Sequence, residues 1–294
     1  MALDARFGRL WTATIASNLG DGLVAAAFPL LAASITRSPT AIAGLSVAMG
    51  LPWLVLGPFA GAIVDRHDRR RAMIAFDVGR GCVVAALALL VLGGTGSILA
   101  LYAAVLLIGA GETIVDTSSQ AMLPALVEPG DLERANARLF ATQTVAQRFV
   151  GPPLGGYLFA VAATVPIFAD AASFLLAAFV VATIPGGFGP ARADATAATS
   201  IRGDTLEGLR WLWRHGPIRT FAVGAAVLNV AITAGEAILV LFAQEVLHVS
   251  GIGFGLLLAA TAAGYTAGAA AAPRVVGRIA RRTVVLVSVG GLAG

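Results

Sequence analysis

The sequence predicts an all-α protein that crosses a lipid bilayer several times, and three observations predict it. Of its 294 residues, 58% are hydrophobic and only 12% charged, whereas soluble domains carry about 25% charge. The mean hydropathy is +0.86. The apolar residues are gathered into runs of twenty or more, the length that spans the hydrocarbon core as a helix, and charged or turn residues separate the runs.

In chain order the runs predict spans at roughly 11–34, 42–64, 72–93, 97–118, 138–162, 164–185, 217–242 and 252–274. A ninth begins near Thr283 and meets the end of the sequence at Gly294. That is about 18 Å of helix, short of the bilayer core, so the reading expects a C-terminally truncated chain. The first run is too long for a cleavable signal and is followed by others of its kind.

The formal net charge is +4 and the pI about 10.2. The basic residues sit between spans, which argues for membrane topology and against nucleic acid as a partner. Arg6 and Arg9 precede the first span, Arg66 and Arg69 to Arg71 follow the second, and Arg134 and Arg138 follow the fourth. Arg192, Arg202, Arg210, Arg214 and Arg219 follow the sixth, and Arg278, Arg281 and Arg282 the eighth. The alternate loops hold only Arg37 and His248, so the N-terminus is expected in the cytoplasm. Lys is absent, which with the Ala-rich bias reads as genome composition.

Three domains follow: a six-helix half at 1–185, a linker at 186–216, and the start of a second half at 217–294. The linker is rich in Gly, Ala and Thr and is expected to be flexible. Within it Asp204 caps a short helix with Leu206, Leu209 and Trp213 on one side, either an interfacial helix or an ordinary amphipathic connector. An internal repeat supports two halves. Val64-Asp65-Arg66-His67-Asp68-Arg69-Arg70 returns in outline as Val276-Gly277-Arg278-Ile279-Ala280-Arg281-Arg282.

Several chemistries are excluded. There is no G-x-x-x-x-G-K-[ST] run to cradle nucleotide phosphates, no H-E-x-x-H, and no G-x-S-x-G elbow. The three His are dispersed, and the lone Cys82, expected to pack inside a helix, forms no cluster. No metal or organic cofactor is implied.

What remains is a set of ionisable groups inside apolar runs, where they are costly and generally functional. Asp21 lies about 15 Å into the first span, with Asn18 one turn earlier on the same face. Glu112 and Asp116 stand at i and i+4 on the fourth span, with Arg148 on the fifth, Asp170 in the sixth and Glu236 in the seventh. Asp21 and Glu112 are the expected proton carriers. Arg148 is the natural counter-charge, with a static pair to Glu112 as the structural alternative. Asp77 is read as interfacial and Arg80 as snorkelling to headgroups. Phe28, Trp53, Phe140 and Phe168 are open candidates for an apolar cavity wall.

Two motifs carry a resemblance. Gly61-Ala62-Ile63-Val64-Asp65-Arg66-His67-Asp68-Arg69-Arg70-Arg71 matches G-x-x-x-D-R-x-G-R-R, the signature between the second and third helices of the major facilitator superfamily, except that Asp68 replaces the second Gly. Gly151-Pro152-Pro153-Leu154-Gly155-Gly156 resembles the G-P-x-x-G-G motif in the fifth helix of that family's exporters. Asn18-Leu19-Gly20-Asp21-Gly22, Leu123-Pro124-Ala125-Leu126 and Asp170-Ala171-Ala172-Ser173-Phe174 are similar to the branch of drug, siderophore and macrolide exporters that includes enterobactin exporters.

The resemblance implies a six-helix N-terminal half and an incomplete C-terminal half that rock around a midplane site. Asp65, Arg66, Arg69 and Arg70 would form the cytoplasmic gate, Arg69 pairing with Asp116 and Gly61 admitting a neighbouring helix. Gly151, Pro152, Gly155 and Gly156 would bend and pack the fifth helix. The implied function is proton-coupled efflux of small amphipathic molecules, with the bilayer, the substrate and protons as partners. A solute importer and a non-transporting truncated protein are the alternatives, and the 294 residues alone are expected not to transport.

Overall fold

The computed structural model describes residues 4–189 and 239–276, and between them 210–211, 213–216, 218–220, 223–224 and 235. Among these residues every regular element is helical. Helices α1 (Ala5–Ile35), α2 (Pro39–Asp65), α3 (Arg69–Leu92) and α4 (Ile98–Met122) are the first four spans. The fifth is one helical run in three parts: α5 (Leu132–Thr144), a π-helical segment (Val145–Val150) and α6 (Gly151–Val161). Then come α7 (Val165–Ala182), the sixth span, and α8 (Gly251–Val276), the eighth. Residues 239–245 are helical and close the seventh. Six of the helices are long and apolar enough to cross a membrane: α1 to α4, α7 and α8. Glu236, the 204–209 part of the linker helix and the 277–282 part of the repeat lie outside the described residues.

Local chemistry sets the ends. A side-chain oxygen satisfies one orphan N–H at the start of each of the first four helices. Asp4 accepts from Arg6, Ser38 from Ala41, Asp68 from Arg71 and Ser97 from Ala100. Helix α3 stops at Gly93-Gly94, where Gly94 takes φ +71°, and Thr95 N–H returns to the Leu90 carbonyl at 2.9 Å. This is the left-handed glycine stop that a residue with a Cβ resists.

Helix α1 is the most buried span, packed on α7 and α6. Helix α3 packs on α7 and α4, α2 on α4, and α8 on α6. Between helices in lipid, close packing replaces the hydrophobic effect as the source of cohesion, and the glycines show where it acts. A Cβ on Gly22 would stand 2.7 Å from the Ala146 carbonyl oxygen and 2.9 Å from Gly151 Cα. A Cβ on Gly155 would meet the Leu23 backbone, and Gly156 and Gly255 hold the same kind of contact between α6 and α8.

Among the described residues the interior has two large apolar cores, besides a small third cluster of Ala60, Val64 and Ile114. One gathers Phe28, Leu31, Leu45, Val84, Leu101 and Phe174, and Phe254 of α8 joins it. The other, at the end where α1 begins and α7 ends, gathers Phe7, Leu10, Met73, Leu126, Ile184 and Phe188. A charged layer lies between them. Cys82 is exposed on α3, not packed inside as the sequence reading expected.

Candidate functional site

The charged layer is organised by Arg80. This residue lies twelfth in α3, about 17 Å along the helix, with its side chain 2% exposed. One terminal nitrogen holds Asp21 of α1 at 2.9 Å and the other holds Asp77, one turn earlier on α3, at 3.3 Å. The guanidinium carbon sits 3.8 Å from the centre of the Phe174 ring of α7. Gly111 of α4 makes room for the stem, since a Cβ there would stand 2.8 Å from Arg80 Cγ. Four helices therefore converge on one arginine.

Two cavities flank the layer. The first, about 320 Å³, lies among α1, α3, α4 and α5 and is lined by Asn18, Asp77, Asp116, Gln120, Asn136 and Phe140. The second, about 380 Å³, has Asp21, Glu112, Gln147 and Arg148 at its polar side and Phe28, Val105 and Ile108 at its apolar side. Asp21 thus lines one cavity and Asp77 the other, and Arg80 joins them. A mixed lining of this kind fits an amphipathic small molecule.

The geometry corrects several expectations. The counter-charge of Asp21 is Arg80, not Arg148. Arg148 is exposed on the π-helical segment, and no ion pair to Glu112 forms among the described residues. Arg80 does not snorkel and Asp77 is not interfacial: both are buried. Arg69 pairs with Asp65 at 3.3 Å, not with Asp116, which lies deeper in the first cavity. Gly61 is exposed, and nothing approaches its Cβ position among the described residues. Asp170, expected in the sixth span either as a coupling group or as a structural partner near the outer face, is fully buried in α7. Phe28 and Phe140 line cavities; Trp53 and Phe168 do not appear among the lining residues of either.

The loop after α2 is held differently from the expectation. The Asp65–Arg69 pair is largely exposed, with the Asp65 side chain at 69%, and exposed pairs contribute only about 0.2–1 kcal/mol. The stronger ties run to the end of α7. Arg70 donates to the Ala182 carbonyl and Arg9 to that of Thr183, cations on the orphan carbonyls of a helix C-terminus. Asp68, the departure from the motif, uses both oxygens: Oδ1 accepts from Arg71 N–H at 2.9 Å and Oδ2 from Phe188 N–H at 3.1 Å. Arg69 N–H donates to the Phe188 carbonyl at 3.2 Å. Arg66 stays exposed beside His67 and Arg71.

In the fifth span, Pro152 and Pro153 have no N–H to give, and the last donor before them, Gly151, reaches back five residues to Ala146. Prolines interrupt the α pattern, and here the interruption takes the form of a π-helical turn, a feature frequent at functional sites. Gln147 and Arg148 lie on that turn and face the second cavity.

Sequence reasoning missed Asp77 and Arg80 as a pair. The signal was present: an acid and a base at i and i+3 on a span, with Asp21 at similar depth.

Comparison with known proteins agrees with this architecture. A major facilitator superfamily model, described as transmembrane secretion effector, matches residues 3–293. The MFS-type transporter Rv0037c of Mycobacterium tuberculosis is 32% identical over 143 residues, 48% of this chain and 32% of that protein. The MFS-type transporter YfiS of Bacillus subtilis is 28% identical over 235 residues, 75% of this chain and 52% of that protein. The multidrug efflux pump Tap of M. tuberculosis is 29% identical over 229 residues, 76% of this chain and 53% of that one. The chain spans about half or less of the length of these relatives. A bacterial homologue of the human lysosomal transporter Spinster, solved inward-facing and unoccupied, superposes with a TM-score of 0.69 at 14% identity, over 93% of this chain and 63% of that one, which shows the fold. With its helical bundle, its α2–α3 motif and a family match over nearly every residue, the chain belongs to the major facilitator superfamily of membrane transporters.

Proposed function

We propose that this chain supplies the N-terminal half, 1–185, the linker, 186–216, and the beginning of the C-terminal half, 217–294, of a proton-coupled exporter of small amphipathic molecules. It would lie in the bacterial inner membrane with its N-terminus in the cytoplasm. The observation that carries the reading is Asp21, a carboxylate lining the second cavity, paired with a buried arginine and sharing that cavity with Glu112.

Buried charges of this kind are expensive in a bilayer and are kept where a cation must be taken up and released. Asp21 and Glu112 present carboxylates beside an apolar wall, so a proton and an amphipathic cation compete for the same oxygens. That competition is what exchange of one for the other requires. The π-helical turn beside Gln147 and Arg148 and the glycine faces of α6 supply a bendable span against α1 and α8. The efflux activity named for the Tap relative, with the Gly-Pro motif of the fifth span, favours export over import. Glu236 is carried as a coupling residue on its place in an apolar run alone.

The test is efflux of a fluorescent lipophilic cation from energised cells that express the protein, with and without a pH gradient. Gradient-driven efflux that is lost in Asp21→Asn or Glu112→Gln is expected. Efflux unchanged in both variants would overturn the assignment of the proton site, and accumulation in place of efflux would turn the reading to import.

A further inference from the structure

Two buried polar atoms in the charged layer have no hydrogen-bond partner, and they belong to groups of opposite charge: Arg80 Nε and Asp170 Oδ2. Asp170 is fully buried in α7. Its Oδ1 lies 3.5 Å from the Ser173 hydroxyl, which donates its better bond, 2.8 Å, to the Asp170 backbone carbonyl. An orphaned buried carboxylate oxygen costs far more than a surface one, so a structure that keeps it needs a state in which it is used.

The surroundings supply that state. Phe174, whose ring lies under the Arg80 guanidinium, stands one turn from Asp170 on the same face of α7, about 6 Å along the axis. Gly20, the residue before Asp21 on α1, has its Cβ position filled by Asp170 Oδ1 and the Ser173 hydroxyl. Asp170 and Asp21 are thus neighbours across the α1–α7 contact, with Arg80 reaching in from α3. The other acid of α3 is Asp77, already bound to Arg80, and those of α4 are Glu112 and Asp116, which line cavities. Asp170 faces neither cavity. The cationic group placed to reach it is Arg80, and the Phe174 ring is a surface along which a planar guanidinium can slide.

We propose that Arg80 is an exchanging counter-ion, which leaves Asp21 for Asp170 when the Asp21 carboxylate is neutralised by its cargo and returns when the cargo departs. Asp77 stays bound throughout and acts as the pivot. The exchange would convert occupancy of the second cavity into a change in the α1–α7 contact, a route from the site to the packing of the bundle. It makes Arg80 and Asp170 positioning residues, neither of which touches cargo. The inference rests on the function proposed above for Asp21.

A double-mutant cycle on the purified gene product tests it. Asp21→Asn, Asp170→Asn and the double variant are compared by thermal unfolding. If Arg80 can be received by either acid, each single variant is mild and the double falls below the sum of the singles by at least about 3 °C. If Arg80 is fixed on Asp21 and Asp77, Asp170→Asn is neutral or stabilising in both backgrounds and the cycle is additive, which overturns the proposal. Efflux supplies the second readout: Asp170→Asn is expected to lose turnover while unfolding like the parent, and Asp170→Glu to regain it. Wild-type turnover in Asp170→Asn would also overturn the exchange. If the parent shows no efflux, the functional reading above fails, while the unfolding cycle still decides the exchange.

Discussion

Replacing Gly155 by Ala adds one methyl group at the tightest contact between α6 and α1. The new carbon would overlap Leu23 O most closely and stand 2.8 Å from both Leu23 C and Leu23 Cα, whereas carbon atoms rest at about 3.5–4.0 Å. The obstructing atoms are backbone, so no rotamer change relieves the overlap, and the carbon contacts alone require the two helices to part by at least about 0.7–1.2 Å. Overpacking of this kind costs about 1–3 kcal/mol, against which the better helix propensity of Ala returns about 1 kcal/mol. At about 2–4 °C per kcal/mol for a chain of this size, the net expectation is a fall in unfolding temperature of up to about 8 °C. Gly79→Ala is the control. Nothing lies within 4 Å of its Cβ position, so the propensity gain stands alone and the variant should match or exceed the parent. Thermal unfolding in detergent reads both. If Gly155→Ala were as benign as Gly79→Ala, the packing account of the Gly-Pro motif would be wrong.

Asp68 yields a graded series. Asn keeps one acceptor and Ser can cap α3 but falls short of Phe188, so amide exchange at Phe188 should rise in Asp68→Asn and Asp68→Ser. Protection of Arg71 should be lost only in Asp68→Gly; equal protection of Phe188 in all three would refute the two-oxygen reading. At the start of α1, the Arg6 backbone N–H, helped by the Arg6 side chain, holds the Asp4 carboxyl below the usual carboxylate range. A depressed folded-state value gives support that is present above the unfolded value and lost as pH falls through the folded one. Protection of the Arg6 amide, with the intrinsic pH dependence of exchange divided out, should therefore fall only in acid, below the ordinary carboxylate range, and a fall in protection beginning near neutrality would contradict the cap.

The spans were legible because twenty apolar residues admit few other structures, and the ends of α2, α3 and α7 fall within a few residues of the runs that announce them. The α6 glycines were legible as a packing face because the motif states their spacing. Arg80 was not, because hydropathy reports depth but not azimuth: the same residue at the same depth snorkels on a lipid-facing side and pairs on an inward one. Asp68 was not either, because its second partner, Phe188, lies 120 residues away and is held by a backbone N–H, which leaves no mark in side-chain pattern. The expected Arg69–Asp116 pair failed for a related reason. Asp65 stands just across the short α2–α3 loop from Arg69, and a partner four residues away was available before a distant one.

The central claim is that a proton and an amphipathic cation compete for the Asp21 carboxylate. The most direct measurement is proton release from the purified gene product in weakly buffered detergent solution when a lipophilic cation such as tetraphenylphosphonium is added. The account predicts release of about one proton per cation bound, abolished in Asp21→Asn while the Glu133→Gln surface control keeps it. Binding of the cation with no proton released, or with release undiminished in Asp21→Asn, would contradict it.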